Sequence, residues 1–151
     1  MQFSRRVRAI DVAEEIGPGL AKATLAAELG GQIVGADSYL PDEGTVDLRL
    51  LTKKDAESLG VMRHSAAHVM ARAVMRLYKG VELAFGPTVE NGFYYDFALE
   101  EPISEADFPK IEAEMARIIK ENEPFQRMEE PRDKAIQLCR DLGQQLKVEH
   151  I

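Results

Sequence analysis

The sequence predicts an α+β fold made of two modules, a β-grasp module followed by one with an antiparallel sheet and helices. The first fifty residues hold one short helical stripe followed by three β-prone runs. A long helical stripe then precedes an aromatic stretch punctuated by turns, and further helices follow it. The chain has 151 residues, 45% hydrophobic and 30% charged, which is enough to bury one core or two small ones.

Composition narrows the class of protein. The formal charge of −7 argues against tight binding of nucleic acid by phosphate neutralisation, so any such contact should be local. The single cysteine, Cys139, cannot form an internal disulfide, which agrees with a reducing compartment. No stretch approaches the roughly 20 apolar residues of a membrane helix, and the start has no signal-peptide core. We therefore expect a cytoplasmic protein with no membrane partner.

The first module is predicted over residues 1–55. Its elements are a helix at Ala9 to Ile16 stopped by Gly17-Pro18-Gly19, a hairpin of Thr24 to Leu29 and Gln32 to Gly35 around Gly30-Gly31, and a third strand at Thr45 to Leu51. A sheet with one helix in so few residues indicates a β-grasp arrangement, which normally also has a hairpin before the helix. Only Gln2 to Arg8 precedes the helix, room for one strand at most, so we expect a module shortened at its start.

The second module is predicted over residues 56–151, with Thr52 to Leu59 as a linker or the lead-in to its first helix. Its elements are a helix within Val61 to Tyr78 ended by Lys79-Gly80, strands within Leu83 to Phe97, a helix from Ser104 to about Asn122, and a helix from Pro131 to about Leu142. Ser104 and Asp107 form a capping-box-like start in which Asp stands where Glu or Gln is usual.

Two histidines in the long helix are the leading candidates for chemistry. His64 and His68 are four residues apart, so both project from one face and can meet one metal ion or substrate, and Arg72 continues that face. The pair supplies half of a tetrahedral zinc site, and Ser65 stands where a metalloprotease helix has its glutamate, so a peptidase is disfavoured. For an isolated pair, the better interpretation is that His64 and His68 are surface or hydrogen-bonded histidines on an ordinary amphipathic helix.

Longer runs change that interpretation. The segment Val69 to Tyr78 and the irregular run Gly86 to Asp96, which reads Gly-Pro-Thr-Val-Glu-Asn-Gly-Phe-Tyr-Tyr-Asp, closely resemble the editing domain of threonyl-tRNA synthetases. Independently, Asp11 to Ala23 resembles the amino-terminal ubiquitin-like module of the same family, the TGS domain. From about Ile10 to Ile151 the chain thus resembles the amino-terminal part of a bacterial threonyl-tRNA synthetase, a TGS domain plus the first part of an editing domain.

The resemblance implies an enzyme that joins threonine to its tRNA using ATP, with a separate site that removes serine attached by mistake. Serine lacks one methyl group, a difference that supports only modest discrimination, so a second hydrolytic site is needed. Carried over by position, the resemblance places His64, His68 and Lys147 in catalysis and Tyr95, Gly86 and Asn91 in substrate binding. A neutral imidazole can accept a proton from water near neutral pH, and Lys147 can favour negative charge on the carbonyl oxygen.

The sequence also departs from the family. The editing site is normally completed by a later segment with an Asp and a Cys-x-x-x-His pattern, which this sequence does not contain, nor does it contain the class II catalytic core or the anticodon-binding domain. We therefore expect no aminoacylation and no cofactor in this chain, with ATP and zinc belonging to that core. The implied partners are the 3′ end of the tRNA for threonine and the remainder of the synthetase, and the parent enzyme is expected to be a homodimer.

Two alternatives remain open at this stage. The chain could be a free-standing module whose ubiquitin-like domain binds RNA or a regulatory partner without hydrolysis. It could also be a zinc-dependent hydrolase related to alanyl-type editing domains, which needs four metal ligands where the sequence offers two. Catalysis of seryl ester hydrolysis distinguishes the first alternative, and stoichiometric zinc distinguishes the second.

Overall fold

The structure is a computed structural model that describes residues 1–123 and 128–151. It divides into two compact units, Met1–Met62 and Arg63–Ile151. The domain boundary expected after residue 55 stays a prediction. In the part of the chain that the structure describes, no helix is both long enough and apolar enough to cross a membrane.

The first unit has a three-stranded antiparallel sheet and two short helices. Its elements are α1 (Ala9–Ile16), α2 (Pro18–Ala23), β1 (Thr24–Leu29), β2 (Gln32–Gly35) and β3 (Leu48–Thr52). The strand order is β2-β1-β3, with the longest strand in the centre. The buried apolar side chains come from α1 and the residue Val7 before it, from the central strand β1, and from the neighbouring strand β3: Val7, Ala9, Val12, Ala13, Ala26, Ala27 and Leu51. The small core thus lies among α1, β1 and β3, and neither α2 nor β2 adds a buried side chain to it.

Glycine and proline residues determine where these elements begin and end. Gly30 and Gly31 join β1 to β2 with φ values of 53° and 86°, the left-handed pair that a two-residue hairpin turn requires. Pro18, predicted only as part of a helix stop, also occupies the first position of α2, where its fixed φ and missing N–H are tolerated. Helix α2 was not predicted from the sequence.

The residues before α1 form no strand. Residues 1–8 are all described, and their one β-type pairing is an isolated antiparallel bridge from Arg8 to Tyr39. Arg8 also starts the helix, because its backbone N–H donates to Asp11 Oδ2 at 2.7 Å and its guanidinium pairs with the same carboxylate. The guanidinium hydrogen bond, followed by the backbone hydrogen bond, holds the pKa of Asp11 below its usual range.

The second unit contains most of the helical residues and two short strand pairs. Helix α3 (Glu57–Leu77) starts in the first unit and continues into the second. The elements that follow it are β4 (Glu82–Leu83), β5 (Thr88–Val89), β6 (Gly92–Phe93), β7 (Phe97–Ala98), a 3-10 turn (Glu105–Asp107), α4 (Phe108–Glu121), α5 (Arg132–Asp141) and α6 (Gln145–Val148). Strand β4 pairs antiparallel with β7, and β5 pairs antiparallel with β6. The predicted antiparallel sheet thus takes the form of two separate two-stranded pairs.

The core of this unit lies between α3 and α4. Its most buried members are Ala73, Val74, Val81, Ile111 and Ile118. At the edge of this core, the guanidinium of Arg76 on α3 binds three carboxylates: Glu114 in the middle of α4 at 3.2 Å, Glu121 at its end at 2.7 Å and Glu123 just beyond it at 3.3 Å. The arginine bond also lowers the pKa of Glu121. The ion pairs therefore fix the end of α4 to α3.

Candidate active site

The two predicted histidines form a close pair on α3. Their Nε2 atoms are 3.1 Å apart, and the rings meet edge to face with centroids separated by 4.5 Å at 84°. Both residues are exposed at the surface. A nitrogen-to-nitrogen distance this short is a hydrogen bond only when one ring donates and the other accepts, so at least one imidazole is neutral.

The surroundings of His68 favour its neutral form. Partial desolvation of the ring lowers the pKa of His68 below the ordinary histidine value, and the charges of His64 and Lys147 add to the effect. Part of the residue remains in contact with solvent. His68 is therefore an accessible imidazole that accepts protons only weakly in the ground state and stays neutral near neutral pH.

Lys147 lies on α6, far along the chain from the histidines. Its ammonium donates a hydrogen bond to the carbonyl oxygen of Ala84 at 2.5 Å and lies 5.8 Å from the centre of the Phe85 ring. The same ammonium contributes to the lowered pKa of His68. The structure therefore brings the three predicted catalytic residues into electrostatic range of one another, which the helical spacing alone could not establish.

Gly86 and Tyr95, both predicted to bind substrate, lie against each other. A Cβ atom built on Gly86 would come within 2.2 and 2.4 Å of two ring carbons of Tyr95, so only glycine fits here with the ring in place. The ring also stacks on Phe97, with centroids 4.9 Å apart and planes 20° apart. Desolvation raises the pKa of Tyr95, so its hydroxyl stays protonated at neutral pH. The ring is held between a glycine and a second aromatic ring.

The remaining predicted residue, Asn91, is exposed at the turn of the β5–β6 hairpin. That hairpin is attached to α3 by Arg63, whose Nη1 donates to the carbonyl oxygens of Glu90 at 2.7 Å and Val89 at 3.4 Å. Arg63 directly precedes His64, so the hairpin is fixed to the same turn of α3 that bears His64. Sequence reasoning missed Arg63, because its partners are backbone atoms 26 and 27 residues away.

Two further residues near Lys147 were also missed. His150 makes an edge contact with Phe85, with ring centroids 4.4 Å apart. Gln144 is 7% exposed and bonds to the backbone on both sides of Glu82. The glycine before it, at Gly143, was the one sequence signal that the chain turns there.

A cavity of about 450 Å³ opens beside His68. Arg72, predicted to continue the histidine face, lines it together with Glu123, and the two are joined by an ion pair at 3.4 Å. Most of the other lining is apolar and comes from Val69, Ala71, Met75, Leu83, Ile118 and Ile119. The cavity has room for a small organic group with a polar rim next to the imidazole.

Within residues 1–123 and 128–151, no group of three or more His, Cys, Asp and Glu side chains is placed to hold a metal ion. Cys139, partly buried on α5, carries the one thiol of the chain.

The sequence of this chain is similar to known proteins over both units. The model of the TGS domain matches residues 1–49. A threonine–tRNA ligase of Rhodopirellula baltica is 61% identical over 149 residues, which are 95% of this chain and 20% of that protein. The threonine–tRNA ligases of Gluconacetobacter diazotrophicus and Geobacillus kaustophilus are 44% and 43% identical over 150 residues, in each case 99% of this chain and 23% of theirs. Nearly the whole chain is therefore similar to one region of threonine–tRNA ligases.

This similarity confirms the resemblance inferred from the motifs. The TGS domain is a ubiquitin-like β-grasp fold, and the mixed α+β class is confirmed. The chain spans about a fifth of the length of the curated threonine–tRNA ligases that it matches. The roles of the six candidate site residues stay predictions.

Proposed function

We propose that this part of a threonine–tRNA ligase hydrolyses the ester of serine wrongly attached to the tRNA for threonine. His64, His68 and Lys147 would act at the ester, and Tyr95, Gly86 and Asn91 would shape the site around the amino acid and the tRNA end. The observation that carries the proposal is the 3.1 Å contact between two exposed imidazoles on one helical turn.

The chemistry needs a base, a water molecule and a cation. A neutral imidazole of the pair accepts a proton from water as the water oxygen bonds to the ester carbonyl carbon, and the second ring stabilises the resulting imidazolium by accepting a hydrogen bond from it. The ammonium of Lys147 favours the negative charge on the carbonyl oxygen. When the bond between the carbonyl carbon and the ribose oxygen breaks, the imidazolium returns the proton to that oxygen, which leaves free serine and tRNA with its ribose hydroxyl. The lowered pKa of His68 suits the base, because it keeps that ring neutral at neutral pH.

Tyr95 supplies the discrimination between serine and threonine in this proposal. The two amino acids differ by a methyl group, and a site rejects the larger one only if its wall cannot move. The ring of Tyr95 is confined by Gly86 on one side and Phe97 on another. A wall held in this way excludes the threonyl methyl group and admits serine.

The same proposal extends to the whole enzyme. It would join threonine to tRNA in an ATP-dependent reaction, act in the cytoplasm as a homodimer, and combine this region with the remainder of the synthetase. The sequence identity of 61% to the Rhodopirellula baltica ligase supports this extension.

The test is hydrolysis of seryl-tRNA for threonine by the chain, with binding of a non-hydrolysable seryl amide of adenosine measured in parallel by NMR. We expect His64→Ala, His68→Ala and Lys147→Met each to lower hydrolysis by about 10²-fold or more. Lys134→Met is the matched control, because Lys134 on α5 is 73% exposed and its described ion pair, with Glu130 at 3.6 Å, lies four residues away along the chain. Equal rates in the control and the three variants would contradict the proposal, as would an amide that perturbs none of the six residues.

A second candidate function follows from the TGS match itself. Residues 1–49 contain none of the six site residues, so the first unit could serve as a binding module for RNA or a protein partner regardless of hydrolysis. Retained tRNA affinity in the His64→Ala and His68→Ala double variant, together with no hydrolysis by the unmodified chain, would favour this function over editing.

A further inference from the structure

We propose that Gln144 is a positioning residue that fixes the helix carrying Lys147 to the free edge of strand β4. This inference rests on the proposed function of Lys147 and adds the element that places it. Gln144 was not among the candidate residues, and its own side chain points at backbone rather than at the histidines.

The side-chain amide of Gln144 replaces a neighbouring strand. Its Oε1 accepts a hydrogen bond from the backbone N–H of Leu83 at 2.7 Å, and its Nε2 donates to the carbonyl oxygen of Val81 at 2.8 Å. Strand β4 uses Glu82 and Leu83 to pair with β7. Successive backbone groups of a strand alternate between its two edges, so an amide that spans Val81 and Leu83 satisfies the edge that β7 does not cover.

Local sequence explains why Gln144 reaches this edge. Gly143 has φ 67° and ends α5 in a Schellman motif, in which Gly143 N–H donates to Arg140 O at 2.9 Å and Gln144 N–H donates to Cys139 O at 2.8 Å. The left-handed glycine reverses the chain. Gln144 then caps α6 by accepting from the backbone N–H of Lys147 at 3.1 Å. Gln144 is thus both the anchor on the strand and the start of the helix that bears the lysine.

Three further contacts repeat the attachment along the strand. The backbone N–H of Leu146 donates to Glu82 Oε2 at 3.0 Å, the ammonium of Lys147 donates to Ala84 O at 2.5 Å, and His150 contacts Phe85. Residues 144 to 150, on and around α6, therefore contact residues 81 to 85, on and around β4, in the same order along the chain. Gln144 is the most buried of the helix-side partners, at 7% exposed, so it should hold the register.

The test measures where Lys147 lies without using catalysis. Among the residues that the structure describes, the charged groups near His68 include His64 and Arg72 on its own helix, Lys147 on α6, and Glu123, which lines the same cavity. Replacing Lys147 by Met removes one positive charge, so the NMR titration of the His68 ring should shift upward. We expect Gln144→Met to shift it upward as well, and the Gln144→Met, Lys147→Met double variant to give no shift beyond that of Lys147→Met alone.

Gln145→Met is the matched control, since Gln145 is the adjacent, exposed glutamine. It should leave the His68 titration unchanged. In Gln144→Met the amide of Leu83 loses its acceptor, and its hydrogen exchange should accelerate about tenfold relative to amides in α3. Gln144→Glu keeps an acceptor for the Leu83 N–H and loses the donor to the Val81 carbonyl oxygen. Its Leu83 amide exchange rate should therefore lie between those of the unmodified chain and Gln144→Met. This variant replaces Gln144→Met in the test if Gln144→Met fails to fold.

An unchanged His68 titration in Gln144→Met, with Lys147→Met shifting it, would overturn the proposal, because Lys147 would then hold its place without Gln144. No shift in Lys147→Met would overturn it too, because the lysine would not be near His68. Neither readout depends on ester hydrolysis, so failure of the editing proposal remains a separate result.

Discussion

The imidazole of His68 sits where its protonated form is disfavoured, and that has a consequence for stability. Partial desolvation, then the charges of His64 and Lys147, lower its pKa in the folded chain. The unfolded chain therefore binds a proton at this ring more readily, and the folded state loses stability as protons are added. The contribution is complete above the ordinary histidine pKa of about 6.5 and is lost as pH falls below it through the folded value.

We therefore expect the folded chain to lose stability between about pH 7.5 and pH 5.5, and the His68→Gln variant to lose less over the same interval. Urea unfolding midpoints of both proteins at the two pH values provide the measurement. A variant that loses as much stability as the parent would show that His68 is not the group responsible.

Gly86 is the glycine at which an added Cβ atom would lie closest to a neighbouring side chain. A methyl group there would lie 2.2 Å from a Tyr95 ring carbon, far inside van der Waals contact, and the ring is already stacked on Phe97. We expect Gly86→Ala to destabilise the fold by about 1–3 kcal/mol as the ring is displaced. Thermal unfolding followed by near-ultraviolet circular dichroism reports both the stability and the tyrosine packing.

Gly92→Ala is the matched control for Gly86→Ala. A Cβ at Gly92 meets nothing within 4 Å, and its φ is not in the left-handed region. If both substitutions have the same small effect, the close approach of Tyr95 to Gly86 is not maintained in solution.

The candidate site was only partly predictable at the scale of residues. His64 and His68 could be paired from sequence because helical spacing fixes their separation within one turn. The position of Lys147 beside Ala84 could not, because the two residues are 63 positions apart and no periodicity links them. Arg63 and Gln144 were missed for a related reason, since they bond to backbone atoms, which carry no sequence signal.

At the scale of elements, two glycines in helical segments have opposite roles. Gly60 lies inside α3, where a Cβ meets nothing within 4 Å, and glycine in a helix interior costs about 0.5–1 kcal/mol relative to alanine. Gly143 has φ 67° at the end of α5, where alanine is strained. We expect Gly60→Ala to stabilise the chain by about 0.5–1 kcal/mol and Gly143→Ala to destabilise it by about 1 kcal/mol.

Urea unfolding monitored by far-ultraviolet circular dichroism measures both glycine variants, each being the reference for the other. Destabilisation by Gly60→Ala would mean that the helix is interrupted at that point. Stabilisation by Gly143→Ala would mean that the left-handed turn before Gln144 is not formed.

Elements with strong local signals were predicted well, and those defined by their partners were not. The helix α1 and the β1–β2 hairpin match the predicted ranges, because the apolar stripe, Gly17 and the Gly30-Gly31 pair mark their ends locally. Strand β3 was expected from Thr45 and begins at Leu48, since its partner β1 ends at Leu29, which pairs with Leu48. The two-residue strands β4 to β7 are too short for any alternation to define their ends.

At the scale of the whole molecule, each of the two units has buried apolar side chains of its own. Leu51 is fully buried in the first unit, and Val74 is 1% exposed in the second. The contacts described for the candidate site, from Arg63 to His150, all lie within the second unit. Stability in the second unit should therefore govern the site more directly than stability in the first.

This separation predicts a contrast between two core substitutions. Leu51→Ala should destabilise the first unit by about 2–5 kcal/mol and speed amide exchange at Ala26 and Ala27, whereas Val74→Ala should cost about 2 kcal/mol in the second unit and speed exchange near Ile111. Leu59→Ala, at a side chain that is 51% exposed, controls for loss of a leucine without loss of core packing. Native-state hydrogen exchange measured by NMR resolves the two units. Equal acceleration in both units by either substitution would show that the chain unfolds as one cooperative body, and the site would then depend as much on the TGS domain as on its own unit.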